Sequence, residues 1–138
     1  MRKVLLCFFL GAVGFTVTAQ TTNFSNEVTQ AVKEMTALYS LDAAQVEKME
    51  VIQERNFNNL AAIAPLKDTN RTAYLEKLAA NRKGTDASVR MMLNESQITI
   101  FREQQGQRRV TEAQLVKELK AQGLSTEEIR LTVIERTH

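Results

Sequence analysis

Apolar residues follow two different patterns along the chain. Between Val4 and Val17 they are nearly continuous, whereas from about residue 26 onward they recur every three or four positions among polar residues. The first pattern follows the positive residues Arg2 and Lys3 and ends in small residues at Ala19, which is typical of a secretory signal peptide. The second spacing is that of one face of an α-helix. We therefore expect a cleaved leader followed by a helical mature protein.

A membrane anchor is the alternative interpretation of the leader, residues 1–19. The apolar run of 14 residues is short for a bilayer crossing, which needs about 20 residues. Cys7 follows Leu5 and Leu6 rather than a small residue, so lipid attachment at this cysteine is not favoured. We expect export to the periplasm, with no stable membrane insertion after cleavage.

Four six-residue segments combine a helix cap with a flanking pair of apolar residues. In a capping box, a small polar N-cap residue is followed three positions later by Glu or Gln, and the apolar neighbours pack across the turn. The pattern occurs four times in the 119 residues after Ala19, at 41–46, 93–98, 110–115 and 124–129. It predicts that helices begin just after residues 42, 94, 111 and 125.

The apolar spacing predicts six helices, over about residues 26–39, 43–64, 68 onward, 95 onward, 112–121 and 126–136. Pro65 is expected to end or kink the second helix, because proline disfavours helical conformation in the residue before it. Gly84 leaves open whether the third helix breaks or continues to Met92. Gly106 is expected to loosen the fourth helix, and Gly123 to cap the fifth. No strand-like alternation is present, so we predict an all-α fold.

The larger apolar residues form narrow stripes rather than broad faces. Such stripes favour elongated helical hairpins, or a dimer that exchanges helices, over a compact globule. A layer of paired helices leaves apolar surface open on one side. That surface is either a dimer interface or a binding face, and the sequence leaves both open.

Charge is balanced once the leader is set aside. The whole chain has 18 basic and 16 acidic residues, and removing residues 1–19 with Arg2 and Lys3 leaves 16 of each. Nucleic-acid-binding domains usually carry a clear basic excess, which is absent here. We therefore expect no nucleic-acid partner and no polybasic membrane binding.

The mature chain offers little catalytic chemistry. His138 is the only histidine, it stands at the end of the chain where fraying is common, and no cysteine follows Cys7. No glycine-rich phosphate loop and no Cys or His cluster with metal-ligand spacing is present. Acidic pairs such as Glu127 and Glu128 fall at a helix start, where carboxylates favour the helix dipole. We expect no enzymatic activity, no cofactor and no metal site.

Two local clusters have both a structural and a functional interpretation. Met91 and Met92 suit core packing, but methionine also adapts to irregular partners. Arg102, Arg108 and Arg109 suit a solvated helix face, but such a cluster can also attract an acidic partner. The sequence alone favours the structural interpretation of both.

Two of the capping segments resemble a known family motif. They stand 52 residues apart behind the leader, and their motif positions are Leu41, Asp42 and Gln45 in the first and Leu93, Asn94 and Gln97 in the second. This pattern resembles the Spy/CpxP family of small periplasmic proteins, named for its paired LTxxQ motifs. Asp42 and Asn94 replace the threonine of that motif, and both are good N-cap residues. The resemblance covers about residues 25–107, within an expected helical domain of 20–107, and leaves 108–138 as a C-terminal helical extension.

The resemblance implies an all-α, cradle-shaped dimer that acts in envelope stress. Spy-like members hold unfolded proteins without ATP, whereas CpxP-like members restrain a sensor kinase. Related members sense metals through histidine-rich sites, and this sequence lacks those histidines. The first hypothesis is therefore an ATP-independent, chaperone-like protein that binds unfolded proteins.

The alternative hypothesis is an envelope adaptor or regulator that binds one specific partner, such as a sensor kinase, through its C-terminal helices. For the chaperone hypothesis, residues with suitable spacing for a client surface are Met49, Ile52, Arg55, Phe57, Leu60, Met91, Met92 and Phe101. A simple structural check is whether Leu41 and Leu93 lie near each other beside the starts of the second and fourth predicted helices.

Overall fold

The computed structural model describes residues 24–138, and every regular element in this range is a helix. The helices are α1 (Ser25–Tyr39), α2 (Ala43–Ile63), α3 (Leu66–Thr69), α4 (Arg71–Met92), α5 (Glu95–Ala121) and α6 (Thr126–Thr137). The all-α prediction is therefore confirmed for this part of the chain. The predicted signal peptide, residues 1–19, lies outside the described residues. Among the described helices, none is long and apolar enough to cross a membrane.

Three of the four predicted capping boxes begin helices. Asp42, Asn94 and Ser125 are the N-cap residues of α2, α5 and α6, and each box has both of its reciprocal hydrogen bonds. The backbone N–H of Gln45 donates to Asp42 Oδ1 at 2.9 Å, and that of Gln97 donates to Asn94 Oδ1 at 3.0 Å. Each box therefore satisfies donors at a helix start that would otherwise lack a partner.

The prediction of a new helix after Thr111 is wrong. Helix α5 continues from Glu95 to Ala121 through both Gly106 and Thr111. The Thr111 hydroxyl donates back to the Gln107 carbonyl at 3.2 Å, a bond made within a helix rather than at its start. Capping chemistry alone is ambiguous here, because a Thr-x-x-Gln sequence fits a helix interior as well as an N-terminus.

Pro65 and Gly123 act where they were predicted to, whereas Gly106 does not loosen α5. Helix α2 ends at Ile63, just before Pro65, and the one-turn α3 follows it. Helix α4 runs through Gly84 without a break, so that open question is settled in favour of continuity. Gly123 has a φ of 80°, and the Leu124 N–H donates to the Leu119 carbonyl at 3.3 Å, as in a Schellman cap.

Buried side chains form two separate clusters. The large core joins α1, α2, the end of α4 and the start of α5 through Val28, Val32, Tyr39, Leu41, Met49, Ile52, Val89, Leu93 and Phe101. The small core contains Ile63, Leu75 and Leu78, with Leu131 and Ile134 of α6 packed against them. Polar pairs link α2 to α4 between the two cores, for example Arg55 to Ser88 and Asn59 to Asn81. Their order shows that α2 and α4 run antiparallel.

The C-terminal helices do not form a separate appendage. The predicted boundary between residues 107 and 108 falls inside α5, which is continuous there. Helix α6 packs against both α4 and α5. Leu119 of α5 and Ile129 of α6 are both buried, at 1% and 6% exposure. Residues 108–138 are thus integrated with the remainder of the described chain.

Candidate binding surfaces

Two buried glutamines join the paired motifs. The Gln45 side chain donates from Nε2 to Gln97 Oε1 at 2.8 Å, and Gln97 Nε2 donates to Gln45 Oε1 at 2.9 Å. Both residues are buried, at 8% and 5% exposure. We call this reciprocal pair the amide clamp. The same two oxygens also accept the N-cap N–H groups of Asp42 and Asn94, at 3.1 and 2.9 Å.

The clamp is also symmetric in its outer bonds. Gln45 Nε2 donates to the Met92 carbonyl at 3.0 Å, and Gln97 Nε2 donates to the Ser40 carbonyl at 3.4 Å. Each glutamine therefore reaches the residue immediately before the leucine of the other motif. Leu41 and Leu93 lie in the same buried cluster, beside the starts of α2 and α5. This geometry makes the paired motifs a joint between the starts of α2 and α5.

Three of the predicted client-surface residues belong to the core instead. Met49 is fully buried, and Ile52 and Phe101 are each 8% exposed. All three are part of the large core. Apolar residues spaced three or four positions apart form the buried stripe of a helix, so residues chosen by this spacing belong mainly to the core. Met49 in particular presents no surface to a partner in this conformation.

The other five predicted residues lie at different depths. Phe57 and Leu60 are half-buried, and the Phe57 ring stacks on Phe24 with centroids 5.8 Å apart. Arg55 is exposed and donates to the Ser88 hydroxyl at 2.6 Å. Met92 is half-buried, whereas Met91 is 80% exposed. The eight residues therefore do not form one continuous face.

An apolar groove lies between α2 and α4. It has a volume of about 570 Å³ and is lined by Glu47, Lys48, Val51, Ile52, Ser88, Met91 and Met92. Val51 is 63% exposed, and with Met91 it gives the groove two accessible apolar side chains. The sequence prediction did not include Val51. This apolar residue stands between Glu50 and the buried Ile52, on the polar side of a helix, and that position indicates an exposed apolar side chain.

A second groove, on the other side of α4, is strongly cationic. It lies between α4 and α5, has a volume of about 590 Å³, and is lined by six basic residues: Arg82, Lys83, Arg90, Arg102, Arg108 and Arg109. The acidic lining residues are Asp86 and Glu112. Arg108 pairs with Asp86 at 2.8 Å, and Arg82 pairs with Glu112 at 3.2 Å. The predicted cluster of Arg102, Arg108 and Arg109 is thus half of a larger charged surface.

Two titratable groups near this groove have shifted pKa values. Burial raises the pKa of Tyr39 above 10.0, with a further rise from Asp86 and an opposing effect of Arg108. The Tyr39 hydroxyl donates to Gln104 Oε1. Burial also lowers the pKa of His138 below 6.5, against an upward effect of its contact with the Leu78 carbonyl.

The position of His138 corrects the expectation of a frayed end. Its Nε2 lies 3.1 Å from the Leu78 carbonyl oxygen, although much of the residue remains exposed. The neighbouring Thr137 carbonyl accepts a hydrogen bond from Arg82 Nη1 at 3.1 Å. Within residues 24–138, no group of three or more His, Cys, Asp or Glu side chains is placed to hold a metal ion.

Comparison with known proteins gives no relative from which a function could be transferred. The chain matches no protein-family model, and no curated protein and no solved structure is significantly similar to it. The resemblance to the Spy/CpxP motifs therefore stands on the residues of the amide clamp and their neighbours alone.

Proposed function

We propose that this protein is exported to the periplasm and binds exposed apolar segments of unfolded proteins there, without ATP, as part of an envelope stress response. The apolar groove between α2 and α4 is the proposed client site. The observation that carries the proposal is the exposure of Val51 and Met91, at 63% and 80%, on one groove.

The chemistry of the groove supports weak and adaptable contacts. Methionine is unbranched and polarisable, so Met91 and Met92 can fit irregular apolar side chains of different clients. The charged residues Glu47 and Lys48 also line the groove, beside its apolar floor. A mixed surface of this kind favours short-lived binding, which delays aggregation without trapping the client.

The large core supports the groove from below. Ile52 lies both in the groove lining and in that core, and the Gln45 side chain is bonded to the carbonyl of Met92. Met91 and Met92 therefore extend from a helix end that the amide clamp holds in place. A fixed helix end with flexible methionine side chains combines a defined location with loose selectivity.

The aggregation of reduced lysozyme, followed by light scattering, tests the proposal. We expect residues 20–138 to suppress scattering at up to equimolar amounts. The Val51→Gln/Met91→Gln double variant should need about tenfold more protein, because partial burial of two apolar side chains contributes about 1.4 kcal/mol. Glutamine keeps the helices intact, since it is a good helix former.

Val110→Gln is the matched control. Val110 is 71% exposed, similar to Val51, but it lies on α5 outside the groove. Suppression by this variant should equal that of the unmodified protein. The proposal fails if the unmodified protein has no effect, or if Val110→Gln is as weak as the double variant. Binding to a single envelope protein, with no effect on the aggregation of three unrelated unfolded proteins, would instead support the adaptor alternative.

Export is the second part of the proposal and has its own test. The leader pattern of residues 1–19 supports cleavage after Ala19. Periplasmic extracts of bacteria that express the full chain should contain a protein whose mass corresponds to a start at Gln20. A full-length protein in the membrane fraction would contradict this part without affecting the groove.

A further inference from the structure

The cationic groove carries two matched pairs of basic residues. Lys83 and Arg90 on α4 are seven positions apart, as are Arg102 and Arg109 on α5. Seven residues of α-helix span about 10 Å. All four side chains are exposed and line the same groove, and none of them takes part in an ion pair within the described residues. The groove therefore has accessible positive charge along both walls.

The remaining polar side chains hold the two walls together. Arg108 and Gln105 of α5 both donate to Asp86 of α4, at 2.8 and 3.0 Å. Farther along, Arg82 of α4 donates to Glu112 of α5 at 3.2 Å. These bonds run in opposite order along the two helices, so α4 and α5 are antiparallel.

The antiparallel order places the four free cations in two groups. Arg90 and Arg102 lie toward the turn between α4 and α5, which follows Met92. Lys83 and Arg109 lie toward the other end, near the Arg82–Glu112 pair. The positive charge is thus concentrated at the two ends, separated by about two helical turns.

The middle of the groove restricts the class of ligand. Asp86 places a carboxylate there, and the exposed Ala87 beside it adds apolar lining. A polyphosphate, with charge along its whole length, would place negative charge beside Asp86 and Ala87, where Arg108 is already paired with Asp86 and is not a free cation for it. A peptide with two separated acidic side chains and an apolar residue between them would not. In the polyproline II conformation, three residues span about 9 Å and place the side chains at positions i and i+3 on the same face, which matches the required span.

We propose that the cationic groove between α4 and α5 binds an acidic peptide segment with two carboxylates about 10 Å apart and an apolar residue between them. Arg90 and Arg102 bind one carboxylate, and Lys83 and Arg109 bind the other. The arginines offer paired N–H donors that match a carboxylate. This site is distinct from the proposed client groove, and the inference does not depend on that function.

Fluorescence anisotropy with a labelled peptide tests this inference. The probe contains two glutamates three residues apart with leucine between them, and the comparison peptide carries glutamines instead. We expect the glutamate peptide to bind residues 20–138 and the glutamine peptide to bind at least about tenfold more weakly. Raising the salt concentration from about 0.05 to 0.3 M should weaken binding of the glutamate peptide, since exposed charges are screened.

Two double variants locate the site. Each variant removes the positive charge at one end of the groove: the first is Arg90→Gln/Arg102→Gln and the second is Lys83→Gln/Arg109→Gln. Each should weaken binding of the glutamate peptide about tenfold. The control Lys33→Gln/Lys67→Gln makes the same change in net charge at exposed positions outside the groove. The affinity of this control for the glutamate peptide should stay within about twofold of that of the unmodified protein, because distant exposed charges are screened. Circular dichroism confirms that all variants remain helical.

Three results would overturn the inference. The first is an equal loss of affinity in the control variant, which would reduce the effect to net charge. The second is equal binding of the glutamine peptide. The third is binding of tripolyphosphate, lost in the groove variants, with no binding of the glutamate peptide, because the ligand would then be a dense polyanion.

Discussion

Different kinds of polar contact stabilise the two cores of this protein. The large core surrounds the amide clamp, in which neutral side chains are buried and fully bonded. The small core is flanked by exposed ion pairs between α4 and α6, Arg71 with Glu135 and Arg130 with Glu76. A buried amide that loses its partner leaves a desolvated group unsatisfied, whereas an exposed ion pair is replaced by water. The clamp should therefore contribute much more to stability than the ion pairs.

Met49→Ala is expected to have the largest effect. Met49 is fully buried in the large core, and truncating a buried methionine destabilises a protein by about 2–5 kcal/mol. Urea unfolding followed by circular dichroism measures the change. Met91→Ala is the control, and it should change stability by less than about 0.5 kcal/mol because Met91 is exposed. A similar loss in both variants would contradict the assignment of the large core.

Gln45→Leu should destabilise the protein by about 2–3 kcal/mol. The substitution removes the capping-box bond and leaves the Gln97 amide without its partner. The Gln45→Leu/Gln97→Leu double variant should lose less than the sum of the two single variants, because no unpaired amide remains. Additive losses would show that the two amides are not coupled. Gln30→Leu, at an exposed position, is the control.

Arg71→Gln should have a small effect, about 0.5 kcal/mol or less. Arg71 and Glu135 keep 53% and 49% of their side-chain surface exposed, so solvent screens their attraction. Urea unfolding should show this small difference in stability between Arg71→Gln and the unmodified protein without added salt, and the same difference or none in about 1 M salt. A loss comparable to that of Gln45→Leu would remove the contrast between the two cores.

The smallest effect concerns pH. Burial lowers the pKa of His138 below 6.5, so the unfolded chain binds the proton more readily than the folded one. This residue therefore reduces stability as the pH falls below about 6.5, and has no such effect at higher pH. Arg82 and Arg108 lower this pKa further, whereas Asp86 raises it.

Comparison with His138→Gln isolates this contribution. The variant should lose less stability between about pH 7.5 and 5 than the unmodified protein, because the carboxylates common to both titrate equally. Urea unfolding at the two pH values gives the difference. Titration of the His138 ring by NMR provides a direct check, and a pKa above 6.5 would reverse the prediction.

Local sequence signals predicted most helix boundaries, because capping acts between residues three positions apart. Asp42, Asn94 and Ser125 cap helices, and Gly123 ends one with a positive φ. The failure at Thr111 has the same origin, since a local pattern cannot report whether the preceding turn is already helical. Tertiary packing decides that question, here through the contact of α5 with α6.

The candidate surfaces were harder to predict. Spacing along a helix separates apolar from polar faces, so it placed Met49 and Phe101 on a proposed surface although both are buried. The cationic groove combines Lys83 and Arg90 with Arg102 and Arg109 from another helix. Only the last two stand in the basic cluster that the sequence revealed, because the approach of α4 and α5 depends on the fold.

The reciprocal bonding of Gln45 and Gln97 has a consequence for how the molecule responds to its medium. Neither side chain gains or loses a proton at any pH that a living cell meets, and neither carries net charge for dissolved ions to shield. Acidification or high salinity would weaken the ion pairs of Arg71 and Arg130 around α6, and would leave the hydrogen bonds between the two glutamine side chains unchanged. The helix contacts around α6 thus depend on charged groups, whereas the contact between the two glutamines does not.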